Sequence, residues 1–177
     1  MTDLTIEIVS QANANEILEF EKENRDYFET FVPSRGDEYY EKDNFHKIIN
    51  SIIEEQLQDL CYMYIIRNKE GEMVGRVNIV DITREECRKA ELGYRIGRRH
   101  CGKGYATAAV KLAVTEAFGR HRIEQLEAGT SPTNIGSQIV LLKNGFEFVS
   151  RQEKVMQVNN RWEDSIHFVK KITYQLR

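Results

Sequence analysis

The sequence predicts a mixed α+β (α/β) domain, and three features carry that prediction. Stretches with apolar side chains at every second position cluster early and late in the chain, which is the period of a half-buried strand. Between them lie segments with apolar residues three and four apart, the period of a helix resting on a core. The 177 residues hold no repeat, low-complexity run or linker, a length and texture that suit one domain, 1–177, with a substantial core.

Taken in order, residues 5–9 alternate and form the first strand. Over residues 12–31, Ile17, Leu18, Phe20, Tyr27, Phe28 and Phe31 stand among the acids Glu16, Glu19, Glu21, Glu23, Asp26 and Glu29. This reads as a helix that breaks near Asn24, then a shorter piece ending before Pro33. Residues 34–37 turn, and Asp37 is the expected N-cap of the next helix. Tyr40, Phe45, Ile48, Ile49, Ile52, Ile53 and Leu57 give that helix one apolar stripe for the core. Residues 61–66 and 72–82 pair as a hairpin around residues 68–71, with Gly75 marking a bulge. A charged loop over 83–88 leads into a strand over 89–96. A helix over 104–118 follows, closed by Gly119. Residues 123–129 make another strand, broken by Ser131-Pro132; Asn134 caps a helix to Asn144, with Gly145 just beyond its end. Residues 146–158 and 162–174 close the chain as a long hairpin through Asn159-Asn160-Arg161.

The chain is organised around residues 91–109, where a strand runs through a basic glycine-rich turn into a helix. Such a helix start is an anion seat, because its first amides have no internal partners and the helix dipole adds positive potential. Gly102 and Gly104 allow positive φ and close approach of a ligand to the backbone. Arg98, Arg99 and Lys103 surround the seat. Three readings meet here. A P-loop needs a Ser or Thr hydroxyl after the lysine, and the residue there is Gly104. A basic surface turn with no ligand is the plainest reading. The third is a pyrophosphate cradle made of amides alone.

Arg99-x-x-Gly102-x-Gly104, followed by Tyr105-Ala106-Thr107, resembles the acyl-CoA-binding motif of the GNAT N-acetyltransferases, Gln/Arg-x-x-Gly-x-Gly/Ala. Ser131-Pro132-x-Asn134-x-x-Ser137 and Lys143-Asn144-Gly145-Phe146 resemble the family's second cofactor-side segment. Order and spacing are most similar to the RimJ/RimL-like branch, which acetylates N-termini of ribosomal proteins, and the likeness covers nearly the whole chain. It implies a mostly antiparallel seven-stranded sheet, splayed between strands 4 and 5 and flanked by about four helices. In that family the pantetheine arm lies in the splay and pairs with the backbone of the strand that here ends at Ile96.

The resemblance also assigns roles. Acetyl-CoA is the implied cofactor, held by Arg99, Gly102, Lys103, Gly104, Tyr105 and Ala106 at the pyrophosphate and by the backbone of Tyr94, Arg95 and Ile96 along the arm. That backbone could also polarise the thioester carbonyl. Asn134 matches a position that meets the pantetheine, and an asparagine there serves equally as a helix cap. Many members use a helix tyrosine to protonate the departing thiolate; the matching position is Leu141. In the ribosomal-protein branch the serine after Asn-x-x is the proposed acid, which Ser137 fits, although a helix serine is as readily a back-bonded hydroxyl. Glu91 stands where related proteins often carry a carboxylate, as a base or as an ordinary surface glutamate. The acceptor sets the demand on that base: neutralising an N-terminal amine at pH 7 costs roughly 1.4 kcal/mol, a lysine-like amine about 4.6 kcal/mol. The expected acceptor is a protein N-terminus; a small amine such as a polyamine or antibiotic, or a non-catalytic acyl-CoA sensor, are the alternatives. Residues 159–164 resemble the hairpin that edges the acceptor groove, or form a plain polar turn.

Composition narrows the classes further. Residues 1–60 carry 15 acids against 5 bases, and residues 61–177 carry 13 against 20, so one half suits a cationic partner and the other an anionic one. The bases converge on one turn without a nucleic-acid reading motif, so no direct nucleic-acid binding is expected. No apolar run approaches a membrane span and the start carries no signal-like segment. Three irregularly spaced cysteines point to reduced thiols and a cytoplasmic setting. Cys87, His100, Cys101 and His121 lack zinc spacing, so no metal is expected. No third group is spaced to make Cys101 a nucleophile. A monomer or homodimer is expected.

Overall fold

A computed structural model describes residues 3–85 and 87–172. Seven strands, β1 (Leu4–Ile8), β2 (Tyr62–Asn68), β3 (Met73–Thr83), β4 (Lys89–Ile96), β5 (Gln125–Thr130), β6 (Glu147–Val158) and β7 (Arg161–Lys171), form one sheet. Their order is β1-β2-β3-β4-β5-β7-β6. Every neighbouring pair is antiparallel except β4 and β5, which run parallel. The helices are α1 (Ala14–Glu23), α2 (Arg25–Phe28), α3 (Lys42–Leu57), α4 (Tyr105–Thr115) and α5 (Ile135–Lys143).

The expected splay is present. The β4–β5 ladder holds only Lys89↔Gln125, Ala90↔Leu126 and Glu91↔Glu127, while β4 runs on to Ile96 and β5 to Thr130. From Leu92 onward the β5-facing edge of β4 therefore has no strand partner among the described residues, which leaves backbone donors and acceptors available to a ligand.

Period-two alternation gives the sheet two buried faces. Ile66, Val77, Ile79, Leu92 and Leu126 pack with α4 and α5 through Val110, Ala113 and Leu141. Their neighbours in the chain, such as Ile65, face the other way, against Ile17, Phe20, Phe45 and Ile49 of α1 and α3. Ile65 and Ile66 are both fully buried on opposite faces, so β2 is covered on both sides. No helix among the described residues is long and apolar enough to cross a membrane.

Three local expectations change. Asp37 does not cap α3: it opens a 3₁₀ turn (Asp37–Tyr40) and its carboxylate pairs with Arg25 at 2.7 Å, while α3 begins at Lys42. Leu57, at 84% exposure, falls outside the core because the stripe leaves the sheet in the helix's last turn. Gly119 does not close α4; it lies inside a π-helical turn (Glu116–Arg120), and the left-handed residue is Arg122 at φ 54°. The extra residue of the bulge is Val74, beside Gly75. Gly75 is required for another reason: a Cβ there would collide with the Arg95 carbonyl. The final hairpin turns on Asn159 and Asn160 at φ 49° and 60°, a conformation asparagine tolerates in a two-residue loop. The expected positions 173 and 174 of the last strand lie outside the described residues.

Candidate active site

β4 ends at Ile96, and Gly97 leads into a single 3₁₀ turn over Arg98–His100. Gly102 and Gly104 then take φ 76° and 79° before α4 starts. The first helical hydrogen bond is from Ala108 N–H to the Gly104 carbonyl at 3.1 Å, so the amides of Tyr105, Ala106 and Thr107 precede it and point out of the helix end. A Cβ on Gly102 would meet nothing within 4 Å: the turn is a cradle with room in it. Beside it His100 is buried, its Nε2 3.5 Å from a Glu72 carboxylate oxygen and its Nδ1 without a hydrogen-bond partner among the described residues. Burial holds the His100 pKa below its ordinary value, with Lys103 and Arg99 adding to the effect and Glu72 opposing it. Free amides and open backbone together fit a phosphorylated group.

The turn is clamped from outside by the bend between α1 and α2. Asn24, buried there, accepts a hydrogen bond on Oδ1 from Arg98 N–H at 2.9 Å and donates from Nδ2 to the Phe20 carbonyl at 2.9 Å. Gly97 sits so close beneath them that a Cβ would lie 3.0 Å from the Phe20 ring. The Tyr27 hydroxyl stands 3.2 Å from Cys101 Sγ across the mouth of the turn. Neither Asn24 nor Tyr27 was anticipated as a site residue; the only signal was the helix break at Asn24.

A cleft of about 450 Å³ opens along the splayed edge of β4 and runs into this cradle. Of the residues expected at the site, Tyr94, Arg95, Ile96, Gly102, Gly104, Tyr105, Ala106, Asn134 and Ser137 all line it. Tyr27, Phe28, Phe31 and Val32 form the wall opposite α5. Arg99 and Lys103 do not line it. Arg99 is exposed and reaches Glu72 and Glu23 at 3.4 and 3.6 Å, and Lys103 is exposed on the turn. Glu91 is also outside the lining, at the closed end of the splay.

On α5, Asn134 Oδ1 accepts from Ser137 N–H at 3.1 Å, so the asparagine is a helix cap as well as part of the cleft wall. Leu141, at 1% exposure, belongs to the core and presents nothing to the cleft. A phenol arrives from the other wall instead: the Tyr94 hydroxyl on β4 lies 2.8 Å from Ser137 Oγ. Burial pushes the Tyr94 pKa up to about 12, against the lowering effect of Ser137.

Residues at odd positions of β4 face α1 and α2. Arg95 there donates to Glu21 at 2.9 Å and lies over the Phe28 ring at 4.9 Å. Glu21, fully buried on α1, also takes a hydrogen bond from Arg76 at 2.7 Å. Burial opposes ionisation of Glu21, yet Arg76, Arg95 and Arg35 outweigh it and hold its pKa below the ordinary value. Four residues upstream of Arg95 the balance reverses. Burial, then the Asp81 carboxylate, raises the Glu91 pKa, with Glu127 adding and His167 opposing.

Comparison with known proteins adds three findings. A family model described as an acetyltransferase (GNAT) domain matches residues 3–147. The chain is 36% identical over 153 residues to the probable N-acetyltransferase YjcK of Bacillus subtilis (strain 168), covering 86% of this chain and 84% of that protein. Its fold is that of solved structures at lower identity. A ribosomal-protein-S5-alanine acetyltransferase from Vibrio fischeri gives a TM-score of 0.91 at 22% identity, over 97% of this chain and 94% of that one. Mycobacterium smegmatis RimJ, solved with CoA-disulfide, gives 0.88 at 22%, over 95% and 81%.

Proposed function

The chain belongs to the GNAT acetyltransferase family, and we propose that it transfers acetyl from acetyl-CoA to the N-terminal α-amine of a protein, with a ribosomal protein as the acceptor. The observation that carries this reading is the continuity of one cleft. The strand edge left unpaired after Glu91 runs directly into the amide cradle at Gly102–Ala106, with Tyr94 and Ser137 facing each other midway. Acetyl-CoA supplies the acetyl group as an activated thioester.

The chain's own residues do the rest. Amides of the cradle and His100 hold phosphate, and the free β4 edge between Leu92 and Ile96 orients an amide-containing arm. Tyr94 and Ser137 hold a proton where a thiolate departs, which replaces the helix tyrosine that Leu141 cannot be. Glu91 lies at the closed end of the splay as the base, directly or through water. An α-amine needs roughly 1.4 kcal/mol to be neutral at pH 7, so a carboxylate of raised pKa is sufficient there. The three cysteines are free thiols, which fits the cytoplasm, where ribosomal acceptors reside.

The test is transfer itself. Purified protein is incubated with acetyl-CoA and peptides copying protein N-termini; thiol release is followed and the modified nitrogen located by mass spectrometry. Acetyl on the α-nitrogen supports the reading. Turnover confined to spermidine or other small amines, with peptides inert, would replace it with the small-molecule class.

A further inference from the structure

Behind the α1-facing wall of the cleft, two guanidiniums, Arg76 and Arg95, share a single carboxylate, and Arg95 alone of them lines the cleft. Glu21 is the one acid in ion-pair contact with Arg76 and Arg95 among the described residues, and both guanidiniums share it. Arg76, at 3% exposure, keeps a buried Nε without a hydrogen-bond partner. A third guanidinium, Arg35, lies over the Tyr39 ring at 4.7 Å and has no ion-pair partner among the described residues. Burial foremost, with Arg35 and Arg76 adding to it, outweighs Glu21 and lowers the Arg95 pKa, whereas Glu21 holds that of Arg76 above its ordinary value against burial. Arg95 is also the member that reaches the cleft, with 20% of its side chain exposed in the wall.

The opposite sign lies upstream on the same face. Glu91 and Glu127 stand side by side in register at the closed end of the splay. Four residues of strand separate Glu91 from Arg95, roughly 13 Å at ~3.3 Å per residue. Gly93, between them, has nothing within 4 Å of where a Cβ would be, so the path from one charge to the other is open.

Several acids of the first sixty residues are engaged elsewhere. Glu7 and Glu16 are tied to Arg67 and Glu29 and Asp37 to Arg25, while Glu19 and Glu23 project from exposed positions of α1. A polycation entering the cleft would meet Arg95 in its wall.

We propose that the acceptor is an amine with an anion nearby: a peptide whose free N-terminus points to Glu91 and whose third or fourth residue is acidic, its carboxylate facing Arg95 and Arg35. An extended peptide covers the separation in about four residues. The proposal rests on the acetyltransferase reading and narrows it, since a polyamine or a basic N-terminus is disfavoured.

The experiment uses peptides of one length with N-terminal alanine, carrying Glu-Glu, Gln-Gln or Lys-Lys at the third and fourth positions, together with spermidine. Two quantities are measured: kcat/KM from thiol release, and the dissociation constant of each peptide from the CoA-saturated protein by calorimetry. The acidic peptide is expected to exceed the neutral one about 10-fold in both, with the basic peptide and spermidine weaker still. Arg35→Glu, which reverses one of the two charges proposed to face the acidic residue, is expected to reduce that ratio to about twofold. Arg95→Lys keeps the charge and should largely keep the ratio. Equal or inverted ratios, or a ratio indifferent to Arg35→Glu, overturn the proposal even if acetylation proceeds. If no amine is acetylated while the acidic peptide still binds tightest and depends on Arg35, the anion site stands and the acetyl-transfer reading falls.

Discussion

The Tyr94 hydroxyl lies 2.8 Å from Ser137 Oγ and 3.1 Å from the Ser137 carbonyl, joining the free edge of β4 to the first turn of α5. Asn134 fixes the Ser137 backbone from the other side. With its pKa pushed up to about 12 by burial, the phenol stays protonated throughout the neutral range. A hydroxyl pair of this kind can give a proton at the serine and replace it from the tyrosine, which links an element of the sheet to the chemistry proposed for the helix.

Tyr94→Phe and Ser137→Ala are each expected to lower kcat by about 100-fold, the low end of what a positioned general acid contributes. KM for acetyl-CoA should change little, because neither hydroxyl belongs to the phosphate cradle. The double variant should be about as slow as the worse single one, since residues acting as a unit are non-additive. Full kcat in Tyr94→Phe would remove the phenol from the mechanism.

Asn24, at the bend between α1 and α2, supports the turn proposed to hold phosphate. Its Oδ1 holds Arg98 N–H at the start of the phosphate turn. Asn24→Ala leaves that amide without its partner and lets the turn shift. Losing one such hydrogen bond costs about 1–2 kcal/mol, so CoA affinity measured by calorimetry should fall about 5- to 30-fold. Turnover at saturating acetyl-CoA should hold within about threefold. An unchanged CoA affinity would mean the turn keeps its shape unaided.

The sequence was most readable where structure is local. Alternation in residues 89–96 and the glycines at 102 and 104 depend on neighbours within a few positions, and both appear as expected. Long-range pairing left no such mark. Glu21 looks like one more acid on a solvated helix face until β3 and β4 bring Arg76 and Arg95, 55 and 74 positions away, against it. Tyr94 was legible as strand backbone only, because its partner is 43 positions on. Asp37 and Gly119 failed for a related reason: Arg25 competes for the aspartate, and a π-helical turn carries the chain past the glycine.

Acid should loosen the fold in the window where histidine titrates. His121 is buried, stacked on Tyr62 with ring centroids 3.5 Å apart, and its Nε2 lies 2.6 Å from the Tyr64 hydroxyl. Burial foremost holds its pKa below 6.5, as it does for His100. The unfolded chain then takes up protons first, so stability present above about pH 6.5 is lost as pH falls toward the folded pKa values. Carboxylates held low, such as Glu7 and Glu29, act only below about pH 4.5. Glu91, held high, works in the opposite direction just above pH 4.5. Urea midpoints are therefore expected to drop between pH 7.5 and 5.5, and His121→Phe should flatten that slope while lowering stability at pH 7.5. A slope unchanged in both His121→Phe and His100→Phe would assign the loss to other groups.

Glu21→Gln tests whether the buried carboxylate holds the acceptor side of the cleft together. The substitution keeps the shape of the side chain but removes the one charge that Arg76 and Arg95 share. Arg76 is then a buried cation with no counter-ion, and breaking a buried pair from one side costs about 3–5 kcal/mol. For a chain of this length that corresponds to a drop in melting temperature of roughly 6–20 °C. Adding Arg76→Met should recover part of the loss, because an apolar side chain leaves no stranded charge. If Glu21→Gln melts within about 2 °C of the parent protein, the guanidiniums are reached by water and the triad is not a structural anchor.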